Sequence, residues 1–207
     1  DAYLDYLYQS VEVLCSQYGE IGGLWFDGNW SKPDADWKED RLYAIIRKHQ
    51  PEAMIINNTG LGAKGRVGHP EIDSVTFEQG RPTPMDRDGT DKYVTAEMCQ
   101  TFNRHWGIGA EDFNYLSPRQ IIENLCACRK VGANYLLNVG PTASGRIPDY
   151  ESATLRRVGK WIAGQENVIY GGRPSSVHGT GSDFALEADG RLYLFIHDLG
   201  RGGDAHV

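Results

Sequence analysis

Apolar residues along the chain form two alternating patterns, helical stripes and short unbroken runs. Residues 3–18 carry apolar side chains at steps of three and four, which predicts a helix with one buried face. Residues 21–26 hold no polar side chain, which is typical of a strand buried on both faces. Further helices are predicted at 40–49, from 117 onward and at 149–163, and further strands at 53–57, 74–78, 93–97 and 134–139.

Helices that alternate with short buried strands predict an α/β fold with a parallel sheet and crossover helices. The pattern changes in the last part of the chain. Residues 171–176 are rich in Gly, Pro and Ser, which predicts a linker, and two later alternating segments joined by Asp189-Gly190 predict a hairpin. We therefore expect two domains. They are a barrel-like α/β domain over 1–165, and a linker with the start of a small antiparallel β module over 166–207.

Composition narrows the possible functions. The 207 residues carry a formal net charge of −7, which argues against a nucleic-acid partner or an anionic membrane surface. No apolar run approaches the roughly 18 residues that a membrane span needs. Aromatic residues make up 11% of the chain. Their rings suit the C–H faces of sugars, although any single ring is as well explained by core packing.

The four cysteines, Cys15, Cys99, Cys126 and Cys128, do not form the pattern of a disulfide framework. Cys126 and Cys128 lie two apart on a predicted helix, which is poor geometry for a mutual disulfide. We expect free, mostly buried thiols. Together with the lack of a recognisable signal peptide, they point towards a reducing compartment and a cytoplasmic location.

Three acidic residues follow predicted strands. Asp27, Glu78 and Glu97 each stand where an apolar run stops, at the carboxyl end of a strand. Ligands bind and reactions run at that edge of parallel sheets and barrels. An acid there either faces a cleft, or it caps the following helix or pairs with an arginine. Two acids at separate strand ends, flanked by tryptophans, favour the cleft.

Two carboxylates facing each other across such a cleft fit glycoside hydrolysis. One protonates the leaving oxygen, and the other attacks the sugar or activates water. The sequence holds no G-x-S-x-G elbow and no G-x-x-x-x-G-K-[ST] phosphate loop. Its six histidines form no i, i+4 pair, so we expect neither a metal nor a cofactor.

Three separated motifs resemble the α-L-fucosidases of glycoside hydrolase family 29. The first is Leu-Trp-Phe-Asp-Gly at 24–28, and the second is Asn-Arg-His-Trp-Gly-Ile at 103–108. The third is Gly-Ala-Asn-Tyr-Leu-Leu-Asn-Val-Gly-Pro-Thr at 132–142. They occur in the family's order, and the resemblance covers roughly residues 10–175. It implies the C-terminal part of a (β/α)8-type barrel.

The resemblance implies a retaining α-L-fucosidase that acts on fucosylated oligosaccharides or glycosides. Asp27 corresponds to the nucleophile that forms a covalent fucosyl-enzyme. Glu78 stands where the acid/base strand should be, and Glu97 resembles a second acidic position. We favour Glu78, because it ends the more apolar strand and an apolar surround suits a carboxylic acid that must donate a proton.

Three further residues resemble substrate-binding positions of the family. Trp25 alternates with Asp27 along the strand, so both project to the same side and the indole would line the fucose pocket. Trp106 is similar to the residue that contacts the sugar's methyl group. Arg66 is similar in spacing to a sugar-binding arginine, and a solvated loop charge explains it equally well.

Two sequences match the glycosylation sequon, Asn29-Trp30-Ser31 and Asn57-Asn58-Thr59. Both lie beside strand ends near the proposed cleft, where a glycan would obstruct it. We interpret them as chance matches.

A complete (β/α)8 barrel needs about 200 residues at least and usually about 250, and residues 1–165 supply about five strands. We therefore expect one of three situations. The chain is part of a longer enzyme and associates with a missing N-terminal half, or it closes its core as a homo-oligomer. Otherwise it is a truncated, catalytically inactive remnant that binds carbohydrate. Another retaining glycosidase with the same carboxylate layout is a further alternative.

Overall fold

The structure is a computed structural model that describes residues 2–85 and 91–197. The helices are α1 (Ala2–Gln17), α2 (Glu39–His49), α3 (Pro118–Lys130), α4 (Asp149–Ala163) and α5 (Glu166–Gly171), with a short 3-10 helix at Asn29–Ser31. The strands are β1 (Gly23–Phe26), β2 (Met54–Asn57), β3 (Ser74–Thr76), β4 (Thr95–Thr101), β5 (Asn134–Asn138), β6 (Arg173–His178), β7 (Phe184–Ala188) and β8 (Arg191–Phe195).

The main sheet has five strands in the order β1-β2-β3-β4-β5. β1 pairs in parallel with β2, β2 with β3, and β4 with β5. Each strand therefore neighbours the next one along the chain, which is the strand order of consecutive units in a (β/α)8 barrel. The predicted α/β fold class is confirmed.

The chain divides into two compact units, the first formed by residues 1–78 and 85–96 and the second by 79–84 and 97–207. In the first unit α1 packs against α2, and β2 pairs with both β1 and β3. The core there includes Ile46, Ile55 and Val75, none of which is exposed to solvent.

β1 differs from its prediction. Its residues alternate between exposed and half-buried, so the strand is not buried on both faces. Trp25 within it is 38% exposed. The apolar run identified the strand correctly, but composition alone does not reveal what covers each face. β1 is at one end of the sheet order.

Helix α3 in the second unit starts as its sequence predicts. The Ser117 side chain accepts a hydrogen bond from the backbone N–H of Gln120, and the backbone N–H of Ser117 donates one to the Gln120 side chain, with Pro118 at the first helical position. This capping box satisfies two backbone donors that a helix start leaves free. The apolar face of α3 packs against α4 and β5.

The C-terminal module is a three-stranded antiparallel sheet in the order β6-β7-β8. The predicted hairpin is confirmed, and its turn residues Asp189 and Gly190 have φ values of 51° and 69°, as a two-residue turn of this kind requires. β6 occupies the stretch where composition predicts a linker. Residues 198–207 of the predicted module lie outside the described part of the chain.

All four cysteines are free thiols, as predicted. Burial raises the pKa of Cys126 to about 11 and that of Cys128 to about 12, so neither is poised as a thiolate. Within residues 2–85 and 91–197, no helix has the length and apolar character to cross a bilayer.

Candidate active site

Asp27 follows β1 directly and is exposed. Its Oδ1 accepts hydrogen bonds from Trp30 Nε1 at 2.9 Å and from Asn58 Nδ2 at 3.2 Å. The next α-helix, α2, has Lys38 and not Asp27 at its N-cap. Asp27 is therefore not a helix cap, and its carboxylate faces outward at the carboxyl edge of the sheet.

Glu78 lies just beyond β3 and is half-buried. Its Oε2 accepts a hydrogen bond of 2.8 Å from Asn58 Nδ2. The same amide nitrogen thus contacts the carboxylates of Asp27 and Glu78. The structure brings together the two acids that sequence reasoning paired.

Asn58, which follows β2, sets this arrangement. Its Oδ1 accepts from Thr76 Oγ1 at 2.8 Å and from the backbone of Gly60 at 3.1 Å. Because both of these groups are donors here, the amide must present its NH2 group to the two carboxylates. Asn58 is only 3% exposed, so its orientation is fixed by buried partners.

The shared amide limits the distance between the acids. Two oxygens at 3.2 and 2.8 Å from one nitrogen are at most 6.0 Å apart. Asp27 Oδ2 and Glu78 Oε1 accept no hydrogen bond from the described residues of the first unit, and neither acid forms an ion pair with them. Each carboxylate therefore keeps one oxygen available for chemistry.

A cavity of about 700 Å3 opens beside Glu78 in the first unit. Its walls combine aromatic rings with polar side chains, which is the usual composition of a site for a small polar ligand. Among the lining residues are Trp30, Trp37, Tyr43, Arg66, His69 and Glu78.

The sequence-predicted binding residues have different surroundings. Arg66 is exposed and lines the cavity together with Glu78. Trp25 lies on β1, two residues before Asp27, and is not part of the cavity wall. Trp106 belongs to the second unit, where its ring is 47% exposed on the loop after β4.

The predicted position of Glu97 was wrong. β4 spans Thr95–Thr101, so Glu97 is near the start of its strand and not at the carboxyl end. It is 7% exposed and accepts a hydrogen bond of 2.7 Å from Asn134 Nδ2 on β5. The strand extends further because pairing with β5 continues to Thr101.

Sequence reasoning missed two residues of the site, Asn58 and Trp30, which it considered only as parts of sequons. The position of Asn58 could have identified it, since Asn58 follows β2 directly, as Asp27 follows β1. Asn57, the acceptor of that sequon, is buried, and its amide donates to Glu39 at 3.0 Å and to Tyr43 at 3.1 Å. This environment does not accommodate a glycan.

The described residues contain no group of three or more His, Cys, Asp or Glu side chains that could hold a metal ion.

The sequence matches the family model for alpha-L-fucosidase over residues 1–167. A putative alpha-L-fucosidase of Caenorhabditis elegans is 28% identical over 174 residues, which cover 80% of this chain and 33% of the relative. The tissue alpha-L-fucosidase of Mus musculus is 28% identical over 155 residues, covering 73% of this chain and 33% of the relative. The chain thus spans about a third of the length of these curated relatives.

Solved structures agree with the sequence comparison. Alpha-L-fucosidase isoenzyme 1 from Paenibacillus thiaminolyticus superposes with a TM-score of 0.81 at 35% identity, covering 97% of this chain and 48% of that one. The alpha-L-fucosidase from Vibrio sp. strain EJY3 gives a TM-score of 0.67 at 27% identity, covering 89% of this chain and 32% of that one. The family match, the motifs and the strand-end acids agree: this chain belongs to the alpha-L-fucosidase family.

Proposed function

We propose that the chain carries the catalytic acids of a retaining glycoside hydrolase that releases terminal α-L-fucose. Asp27 is the nucleophile and Glu78 the general acid/base. The observation that carries this proposal is the Asn58 amide, which contacts one oxygen of each acid. Membership of the family and the names of the relatives support fucose as the sugar.

The contact through Asn58 is compatible with retention. Retaining enzymes hold their carboxyl groups about 5–5.5 Å apart, whereas inverting enzymes leave about 6.5–9.5 Å for a water. The two oxygens that share Asn58 Nδ2 are at most 6.0 Å apart. This limit applies to that pair of oxygens and not to the free oxygens of the two groups, so the family resemblance carries the assignment of retention.

The proposed reaction has two steps. Asp27 attacks the anomeric carbon while Glu78 gives its proton to the departing glycosidic oxygen, and a fucosyl ester forms on Asp27. Glu78 then takes a proton from water, which attacks the same carbon and releases fucose and free Asp27. Asn58 holds both carboxylates in place, Arg66 binds sugar hydroxyls from the cavity wall, and Trp25 contacts the apolar part of the sugar. For Trp106, contact with the sugar's methyl group stays a prediction of the family resemblance.

Glu97 is the weaker candidate for the acid/base. Its carboxylate is buried and bonded to Asn134, and a group that exchanges protons with a substrate needs access to that substrate. We assign Glu97 a structural role between β4 and β5.

The test is azide rescue of Asp27→Ala, with 4-nitrophenyl α-L-fucoside as substrate. The variant should release no nitrophenol above background. With azide, it should form β-L-fucosyl azide, because azide enters from the face that Asp27 vacates. The matched control is Asp34→Ala, an exposed aspartate in the same unit, which should keep the wild-type rate.

Two outcomes would contradict the proposal. Near-normal turnover by Asp27→Ala would exclude Asp27 as nucleophile. A 207-residue chain that binds fucosides without hydrolysing them would favour the inactive, carbohydrate-binding alternative.

We also propose that a further polypeptide segment covers β1 and α1, either a second copy of the chain or the N-terminal part of the domain. Trp25 on β1 is 38% exposed, and Tyr3 and Tyr6 on α1 are 58% and 69% exposed. Apolar surface of this kind favours association. Sedimentation equilibrium should give a mass above that of one chain, and a compact monomer would refute homo-oligomerisation.

A further inference from the structure

A short turn after β1 brings the Trp30 side chain back to Asp27. Gly28 has a φ of 100°, a left-handed conformation that favours glycine, and the 3-10 helix Asn29–Ser31 follows it. The backbone N–H of Ser31 donates to the Gly28 carbonyl at 3.0 Å, and the Ser31 hydroxyl donates to the same oxygen at 2.7 Å. The turn is thus held by hydrogen bonds that do not involve Asp27, and its indole reaches the carboxylate three residues earlier.

The Trp30 ring packs against the backbone of Gly60, in the loop after β2. A Cβ on Gly60 would be 2.9 Å from Trp30 Cγ and 3.1 Å from both Cβ and Cδ1, so only glycine allows the ring to lie this close. Gly60 has a φ of 75°, and its backbone N–H donates to Asn58 Oδ1 at 3.1 Å. One glycine therefore contacts both of the side chains that donate to Asp27.

Both donors bind the same oxygen of Asp27. Trp30 Nε1 is 2.9 Å and Asn58 Nδ2 is 3.2 Å from Oδ1. The indole N–H can only donate, and the Asn58 amide presents its NH2 group, so Oδ1 accepts two hydrogen bonds. Oδ2 accepts none from the described residues of the first unit. The two oxygens of this carboxylate are therefore not equivalent in the structure.

We propose that Trp30 is a positioning residue that acts through the nucleophile: together with Asn58 it holds Oδ1 of Asp27, so that Oδ2 is the oxygen that attacks the sugar. This inference rests on the proposed function. The last torsion of an aspartate side chain is soft, and a carboxylate without donors presents either oxygen to a substrate. Two donors from different loops on one oxygen fix the plane of the group, and they orient the other oxygen before the substrate binds.

The two reaction steps use the two oxygens differently. In the first step Oδ2 forms a bond with the anomeric carbon, and the glycosidic bond breaks with its electron pair going to the glycosidic oxygen, which takes the proton of Glu78. Oδ1 becomes the carbonyl oxygen of the ester. In the second step water attacks the anomeric carbon and gives a proton to Glu78, while the electron pair of the ester bond returns to Asp27. The N–H of Trp30 therefore orients Oδ2 in the first step and stabilises the charge that returns to the carboxylate in the second.

The experiment measures kcat and KM of Trp30→Phe with 4-nitrophenyl α-L-fucoside. Phenylalanine keeps an aromatic ring beside Gly60 and removes the N–H donor. kcat should fall about tenfold, as the loss of one hydrogen bond to a charged group implies, and KM should not rise. The matched control is Trp161→Phe on α4 in the second unit, which should keep the wild-type kcat. A wild-type kcat in Trp30→Phe would overturn the inference.

The Asp27→Ala background separates positioning from a structural or sugar-binding role. Formation of fucosyl azide by Asp27→Ala uses no carboxylate of Asp27, so a residue that acts only through that carboxylate has no effect there. The double variant with Asp27→Ala and Trp30→Phe should form the azide as fast as Asp27→Ala alone. A further tenfold loss in the double variant would show that Trp30 acts on the fold or on the sugar, and it would overturn the inference.

The indole 1H–15N signal of Trp30 tests the contact without turnover. Because the indole N–H donates to a carboxylate, its signal should shift in Asp27→Ala, which removes the acceptor, and stay in place in Asp34→Ala. A Trp30 signal that is the same in Asp27→Ala and wild type would show that the hydrogen bond does not form in solution, and it would also overturn the inference.

These outcomes separate the inference from the proposed function. Nitrophenol release that Asp27→Ala abolishes, together with an unchanged kcat in Trp30→Phe, overturns only the role of Trp30. A wild-type chain that releases no nitrophenol overturns the catalytic proposal, and the role of Trp30 in catalysis with it.

Discussion

Acidic residues at the two ends of the strands in the first unit have different hydrogen-bond partners. At the amino end, Asp73 precedes β3 and accepts hydrogen bonds from Arg47 Nη2 and Lys92 Nζ, both at 2.7 Å. At the carboxyl end, Asp27 and Glu78 share one neutral amide and no cation among the described residues of that unit. The acids thus have cationic partners at one end and none among the described residues of that unit at the other.

This difference separates structural acids from candidate catalytic ones. A carboxylate paired with a guanidinium and an ammonium is compensated, and its negative charge is not available to a ligand. Two neighbouring carboxyl groups without a cation cannot both ionise without mutual repulsion, and such pairs are typical of catalytic sites. The alternative considered for strand-end acids, pairing with an arginine, therefore applies to Asp73 and not to Asp27 or Glu78.

The largest expected effect concerns Glu78. Glu78→Ala should lower the hydrolysis of a fucoside with a poor, strongly basic leaving group by about 10^2- to 10^4-fold, because general acid catalysis contributes that much. With 4-nitrophenyl fucoside the first step needs little protonation, so the loss should be much smaller. Steady-state kinetics on both substrates measure the contrast.

Glu97→Gln is the control for this prediction. Gln keeps the size of the side chain and an acceptor oxygen for Asn134, so hydrolysis of both substrates should stay close to wild type. A leaving-group-dependent loss in Glu97→Gln with none in Glu78→Ala would reverse the assignment of the acid/base.

The second prediction removes the shared amide. Asn58→Ala should lower activity about 10- to 100-fold, since a hydrogen bond to a charged group contributes about 1.5–3 kcal/mol and here one donor orients two carboxylates. The fall should appear in kcat, because the acids remain present but are misplaced. Comparison of kcat and KM for the variant and wild type provides the measurement.

A matched control is Thr76→Val, which removes one of the two donors to Asn58 Oδ1 and keeps the shape of the side chain. The bond from Gly60 still orients the amide, so this variant should lose less activity than Asn58→Ala. Equal losses in the two variants would indicate a general packing defect and contradict a specific role for the amide.

Local sequence signals predicted more of the fold than of the site. The capping box at Ser117 and the turn at Asp189-Gly190 are encoded within a few residues, and both were predicted correctly. The end of β4 was predicted wrongly, because it depends on pairing with β5, a segment more than thirty residues away. Asn58 was missed for a related reason. A neutral amide gives no charge signal, and its orientation depends on Thr76, which is distant in sequence.

The smallest expected effect belongs to the amino end of the strands, where Asp73→Asn should leave activity unchanged and lower stability by about 1–2 kcal/mol at neutral pH. Burial opposes ionisation of Asp73, but hydrogen bonds from Lys92, Arg47 and the backbone of Ile55 outweigh it and lower its pKa. Because the pKa of Asp73 is lower in the folded state, its ionised carboxylate stabilises the fold at pH values above about 3.9, the pKa of the unfolded state. This stabilisation is lost as the pH falls through the pKa of the folded state.

The stability gap between wild type and Asp73→Asn should therefore be complete above about pH 5 and shrink below about pH 4. Urea unfolding of both proteins across this range measures the gap. Asp34→Asn, an exposed aspartate of the same unit, should show no comparable gap at any pH. A gap for Asp73→Asn that stays constant with pH would mean that its ion pairs contribute nothing. The cationic partners of Asp73 would then not stabilise it. The two ends of the strands would differ in their hydrogen-bond partners but not in how far those partners stabilise the acids.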